Sequence, residues 1–515
     1  MRIKHTHRFI NAILIPAWIV SLMLSPFVSC KEKTEGRGLP QKLPFSITRP
    51  DQGQPLSEGE VTAFTLTVTG FWKSSDYFRW IIRTSHGWQD GSNGMPDYLI
   101  GWGGGGEFDA VKEGDTITFR HLSTGGPDNI MIPSSKILAS AAAGYLLTGD
   151  EAMGKLAEQY CKGTSATMMG IVWDANDPVR TLMARAVLNN NHEYLNYEGK
   201  KTKVDYTLSR QPSVDWNTHT IRIPNNPYWG DIWVKNMRSK DDVPHIYRTD
   251  FFLHYVAEYA KDAWVREAAA KTVSDLQGFT RDIVEYNYHI RSRNEDGEVF
   301  IPTEDLASFV DYEVIAKNAE CNAKLTSALI GYDNAKGNDC ESGDGGAYDD
   351  YSVQVHYYNR AIIRGFHMDA VLHSLRVGNN DAAYDLLEGL IARIDEEEAL
   401  PDDRLQTDRE NWNADFSVFL IQAASSGVPL TSDEARLIHT YYGQTISAMQ
   451  TWDKWDLWSS SIPDGAYDYR PDYLAGTYID SSELALILEY CYSPLKNPAG
   501  VQFVDCDVVS NMTKW

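Results

Sequence analysis

AAAGYLLTGDEAMGKLAEQY, residues 141–160, sets small and apolar residues ahead of a three-residue break, Thr148-Gly149-Asp150, and a more polar segment behind it. In the second segment Met153, Leu156 and Ala157 recur at helical spacing. The pattern predicts a helical hairpin. Whether it stands alone or repeats decides where a site can lie.

The pattern returns three times. FFLHYVAEYAKDAWVREAAAKTV (251–273) breaks near Lys261-Asp262, and IIRGFHMDAVLHSLRVGNNDAAYDLLEGLIARI (362–394) breaks around Gly378-Asn379-Asn380. FSVFLIQAASSGVPLTSDEARLIHTYYGQ (416–444) places Ser432 to Glu434 as the N-terminal cap of its second helix. In each copy the first helix is apolar around most of its circumference and the second carries a polar face, so first helices are expected inside and second helices outside. Further helical segments are readable at 59–84, 178–190, 314–331 and 481–492, which brings the total to about twelve.

The count and the inner-outer alternation resemble the (α/α)6 toroid, the six-hairpin barrel of many bacterial glycoside hydrolases and polysaccharide lyases. The resemblance implies a mainly α fold, with short β insertions, over residues 59–495, followed by a C-terminal extension at 496–515. Two regions interrupt the helices: 86–133, with the strand-like GDTITFRHL, and 191–240, with KVDYTLSR and HTIRIPNN alternating as strands do. Long insertions on a repeat scaffold gather on its functional face.

Ahead of this body, MRIKHTHR is a basic head, FINAILIPAWIVSLMLSPFV is uncharged and apolar, and FVSC ends at Cys30. That is the layout of a secretory signal over 1–29. Cys30, followed by the polar tract KEKTEGRGLPQKLP, resembles the lipobox of bacterial lipoproteins, with Phe27 where Leu is usual. The resemblance implies cleavage before Cys30, acylation of its thiol, and an exported protein anchored on the periplasmic or cell-surface side of a membrane. Residues 30–58 are then the lipidated N-terminus and a flexible linker. A plain secretory signal or a membrane anchor is the alternative.

Loss of residues 1–29 removes Arg2, Lys4 and Arg8 and no acid, which moves the formal charge from −24 to −27. Nucleic acid is excluded as a partner, because no basic face could release counterions from phosphate. Export permits disulfides, and Cys321 with Cys340 and Cys491 with Cys506 would each close a short loop, leaving Cys161 as a buried free thiol. Zinc has no C-x-x-C spacing to hold it. GNDCESGDGGAYDD offers oxygens to Ca²⁺ but lacks the EF-hand order, so no cofactor is assigned.

If the inner helices run in parallel, the residues before each of them meet at one mouth. These are Asp128 and Asn129; then Asp242, His245, Tyr247 and Arg248; then Asp350, Tyr351, His356, Tyr357 and Arg360; then Asn413 and Asp415; and finally Asp480. Capping explains an acid or amide before a helix, and Asp415 and Asp480 are read as caps. It does not explain imidazole, phenol and guanidinium groups collected beside the acids.

Fifteen Trp and twenty-eight Tyr, many in expected loops and including Trp229, suit a carbohydrate cleft, where rings stack on sugar faces and Asp, Asn and Arg bind hydroxyls. The expectation is an exported enzyme that cleaves glycosidic bonds. Hydrolysis would use the carboxylates Asp242 and Asp350. β-Elimination would use His245, Tyr247 and Arg248, or Tyr351, His356 and Arg360. A non-catalytic glycan-binding lipoprotein would need the aromatics without the paired acids.

Overall fold

The structure is a computed structural model. It describes residues 41–51, 53–74, 89–90, 108–113, 116–121, 131–184, 186–188, 193–195, 201–205, 220–227, 230–235, 242–286, 291–300, 371, 375, 380–399, 409–451, 465–467 and 481–512. Contacts divide the chain after Gly38, and every described residue belongs to the second unit, Leu39–Trp515. That unit is mainly helical with short strands. Its helices are α1 (Glu58–Lys73), α2 (Met131–Thr148), α3 (Glu151–Met169), α4 (Asp242–Tyr259), α5 (Ala263–Glu285), α6 (Asn380–Glu398), α7 (Arg409–Ser425), α8 (Ser432–Thr451), α9 (Leu486–Tyr492, entered through a 3-10 turn at Ser481–Ala485) and α10 (Cys506–Ser510).

The stretch at 141–160 forms the α2–α3 hairpin. Gly149 takes φ +68, a left-handed conformation that closes a helix C-terminus, and its N–H donates to the Tyr145 carbonyl. The Asp150 carboxylate then accepts from the Ala152 and Met153 amides at 2.9 and 3.1 Å and starts α3. Along α2, Leu138, Ala141, Ala142, Ala143, Tyr145 and Leu146 are all buried. Helix α3 buries Met153, Leu156, Ala157 and Tyr160 and turns the ion pairs Glu151–Lys155 and Glu158–Lys162 outward. Each large apolar side chain fully buried in this way contributes about 1.5–3 kcal/mol.

The hairpins α2–α3 and α4–α5 lie side by side, α2 on α4 and α3 on α5. Their direction follows from individual bonds. The Tyr145 hydroxyl, near the end of α2, donates to Asp262 in the α4–α5 turn at 2.6 Å and accepts from the Asp262 amide at 3.0 Å. Tyr255 and Tyr259, at the end of α4, meet the ring of Tyr492 at the end of α9. The Ser493 hydroxyl donates to the Ser425 carbonyl at the end of α7. The helices α2, α4, α7 and α9 therefore run in parallel and finish together at an end closed by the turns at 149–150, 260–262 and 426–431.

The other end carries the insertions. A six-stranded sheet has the order β1 (Gln89–Asp90), β5 (Glu193–Leu195), β6 (Lys201–Asp205), β3 (Thr116–His121), β2 (Phe108–Glu113), β11 (Gly465–Tyr467). It draws strands from three connections, those leading into α2, into α4 and into the turn at Ser481. All its pairs are antiparallel except β3 with β6. The register sets Asp109 opposite Arg120 and Arg120 opposite Asp205. A second sheet, β4 (Ala186–Leu188), β8 (Gly230–Lys235), β7 (Thr220–Asn226), has its own core of Ile171, Leu182, Ala184, Ile221, Ile223, Ile232 and Val234. The hairpin β9 (Ser292–Arg293) with β10 (Val299–Phe300) follows α5.

Several expectations are corrected. The described part of 178–190 is not helical: Leu182, Met183 and Ala184 are buried, the Ala184 amide donates to the Thr167 carbonyl at 2.8 Å, and β4 pairs with β8. Burial and pairing override the helix propensity of TLMARAVL. Helix α4 begins at Asp242 and not at Asp250, because Pro244 falls in its first turn, where an N–H has no intrahelical acceptor. Helix α7 begins at Arg409, so Asn413 and Asp415 lie inside it and Asp415 is not a cap. The cap of α8 is Thr431, whose hydroxyl accepts from the Glu434 amide while Glu434 accepts from the Thr431 amide.

The chain also joins the body earlier and leaves it later than expected. Ile47 is buried, and Leu43, Phe45 and Leu56 pack against the main core. Arg49 donates to Glu434, Asp395 and the Pro429 carbonyl; Asp51 accepts from the Ser432 amide and hydroxyl. Residues 43–57 are thus a docked strap. Helix α1 leaves that strap through a Ser57–Glu60 capping box and lies along α8, where Phe64 stacks on His439 at 4.2 Å. At the C-terminus Phe503, Val504 and Val509 are core residues, and Cys506 is bridged to Cys491. Helix α6 departs from the hairpin order: through Arg49 its last turn, not its first, lies beside the first turn of α8.

Candidate functional site

The insertion-bearing end is the candidate site, and α4 begins there. Ile246 is fully buried and sets the phase of the helix. Residues 242, 246, 249, 253 and 256 follow one stripe at helical spacing, and Leu253 and Val256 on it are also buried. Asp242, His245, Tyr247 and Arg248 all fall in the first two turns of α4; their side chains lie outside the described residues.

Asn413 and Asp415 lie in the first turns of α7, at the same end of the body. Asn413 is half-buried and donates to the Tyr441 hydroxyl on α8 at 3.1 Å, which ties the two helices of one hairpin. Asp415 is half-buried. Trp412, just ahead of them, is core, stacked on Phe416 at 4.9 Å with the Arg409 guanidinium 4.6 Å from its ring centroid. The order of packing, α4 on α2, α2 on the turn at Ser481, and α9 on α7, sets other helices between the α4 and α7 sets. Asp128, Asn129, Trp229, Asp350, Tyr351, His356, Tyr357, Arg360 and Asp480 lie outside the described residues, as do Cys30, Cys321, Cys340 and the acidic loop at 337–350.

A buried polar network supports this end, and sequence reading missed it. Arg293 donates to the Asp177 carboxylate, to the Ile171 carbonyl at 3.0 Å and to the Gly297 carbonyl, with its guanidinium 5.8 Å from the Trp173 ring centroid. Asp177 in turn accepts from the amides of Trp173 and Val179 at 2.7 and 3.0 Å. Burial pushes the Arg293 guanidinium below its ordinary pKa, and the charge of Asp177 opposes that. Beside it Arg291 pairs with Asp282 and lies over the Tyr286 ring. Asn226 donates to the carbonyls of Gly170 and Val172. These bonds lock the β9–β10 hairpin and the β7–β8 sheet to the chain leaving α3. They are satisfied internally, so this network positions the site and does not perform its chemistry. The sequence signal for it was Arg291-Ser-Arg293 a few residues before Gly297.

Cys161 is a free, buried thiol pushed up to about 12 by burial, which removes it as a nucleophile. Among the described residues no group of three His, Cys, Asp or Glu is arranged to hold a metal, and none of their helices is long and apolar enough to cross a membrane. No protein-family model, curated protein or solved structure matches the chain.

Proposed function

We propose that this chain is an exported carbohydrate-active enzyme, lipid-anchored through Cys30, that cleaves glycosidic bonds at the insertion-bearing end of an (α/α)6-type toroid. The observation that carries the reading is the convergence of the N-terminal ends of four parallel helices, α2, α4, α7 and α9, at the end where the long insertions gather. In the toroid these form the inner ring, with α3, α5, α8 and α1 outside. Parallel helix N-termini direct amides and positive potential toward the site, where developing negative charge is stabilised.

Hydrolysis by paired carboxylates comes first, with Asp242 on α4 as one of the pair and Asp350 as the other. β-Elimination is the second reading, with Arg248 neutralising a uronate, His245 taking the C5 proton and Tyr247 completing the set.

The test is incubation of the mature protein with a panel of neutral and uronic-acid glycans, reading new reducing ends and the ultraviolet absorbance of an unsaturated uronate. New reducing ends without that absorbance support hydrolysis, and the absorbance supports elimination. In either case Asp242→Asn or His245→Ala should lower the rate at least about 100-fold, the scale of losing a general acid or base. Glycan binding without either product would make the protein a capture lipoprotein.

A further inference from the structure

The strap at residues 43–57 packs Phe45 edge-on against Tyr384 near the start of α6 at 5.2 Å, while its hydrogen bonds to the body cluster at one end. Leu43 packs over Gly427 in the α7–α8 turn, and the Ile47 carbonyl accepts from Asn497 at 3.3 Å. Arg49 reaches Pro429 and Glu434, Asp51 caps Ser432, and the carbonyls of Gln54 and Pro55 accept from Arg436. Every one of these hydrogen-bonding partners lies in or beside the short turns where α2, α4, α7 and α9 finish. The chain therefore enters the body at the end opposite the candidate site.

We infer that the short-turn end is the face turned toward the lipid bilayer and that the insertion-bearing end, with its site, points away from it. The inference rests on the proposed acylation of Cys30. Leu43 follows Cys30 by thirteen positions, and a random coil of that length has a root-mean-square span of about 20 Å. Helix α4, with 18 residues, spans about 27 Å along the body. To bring the other end to the bilayer, the tether would have to run up the side of the molecule, which uses most of its fully extended reach of about 45 Å. Chain entropy opposes that extension, so the docked strap orients the enzyme. A glycan too large to pass between body and bilayer would then reach the site from the open side.

The experiment uses the full chain, matured in cells and inserted into preformed vesicles that contain a nickel-chelating headgroup lipid. A nitroxide is carried on a ketone-bearing residue placed at Lys261, exposed in the α4–α5 turn, or at Glu410, exposed at the start of α7. Paramagnetic relaxation by headgroup nickel should be at least several-fold stronger at position 261 than at position 410. The mass of the N-terminal peptide reads acylation in the same sample. An acylated protein with equal relaxation at both positions, or stronger relaxation at 410, overturns the orientation and leaves the lipoprotein reading standing. A Cys30 without lipid overturns both.

Discussion

Gly297 shows how a single residue holds the site's support. It sits at φ +88, and a Cβ there would come within 2.9 Å of the Trp173 ring. Gly297→Ala is expected to cost about 1–3 kcal/mol, from backbone strain together with displacement of an aromatic that covers Arg293. Asp177→Ala should cost more, about 3–5 kcal/mol, because it strands a buried guanidinium. Thermal unfolding of the two variants against the native protein checks both values and their order.

A third residue gives a pH dependence. Glu398 is exposed along part of its length, yet its carboxyl is pushed up to about 7, first by loss of hydration and then by the charge of Glu434, while Arg49 opposes the shift. A carboxyl whose folded-state pKa exceeds its unfolded value binds its proton more tightly when folded. Its ionisation destabilises the fold fully above about pH 7, and that cost fades as pH falls toward the unfolded value near 4.5. Glu398→Gln should therefore raise the melting temperature at about pH 8 and leave it close to native at about pH 4.5. Equal shifts at both pH values would contradict this.

At the scale of elements, the termini do more than the sequence suggests. The Cys491–Cys506 bridge closes a loop of sequence separation 15, with its Cα atoms 5.1 Å apart, and ties α9 to α10. A loop of that size stabilises by about 3 kcal/mol through the unfolded chain. Cys506→Ser should show that loss in denaturant unfolding, with little change in the native circular dichroism. The strap is held in the same region, with Arg49 between Asp395 and Glu434. Arg49→Met leaves two carboxylates facing each other across a partly buried site. It is expected to free residues 43–57, and faster proteolysis ahead of Ser57 would report that.

For the whole molecule, the proposed placing of glycan cleavage at the insertion-bearing end makes a prediction about activity. Substitutions in the short turns, such as Lys261→Ala, should leave glycan cleavage within about two-fold of native, since exposed positions away from a site are near-neutral. Substitutions at Asp242 or His245 should abolish it. Initial rates on the same glycan decide between these, and a native rate in Asp242→Asn would remove that carboxylate from the proposed pair.

The sequence by itself determined the local units of this protein. The apolar spacing at 141–160, the Gly149-Asp150 break and the repeats at 251–273 and 416–444 are short-range signals, and each became a hairpin. The strands at 116–121 and 220–226 were legible in the same way, as alternation within a few residues, and KVDYTLSR (203–210) overlaps the strand at 201–205 in its first three residues, its remainder lying outside the described residues. The pairing of Cys491 with Cys506 rested on nearness along the chain. Tertiary structure alone decided what depends on neighbours distant in sequence. TLMARAVL has the composition of a helix, and it became extended because β8 and the Thr167 carbonyl were there to pair with it. Asp415 read as a helix cap, and it lies inside α7 because that helix begins at Arg409. Arg293 found Asp177, and Arg49 found Glu434, across more than a hundred residues. Periodicity carries no record of such pairs, because they form only where the packing of apolar faces brings two segments together.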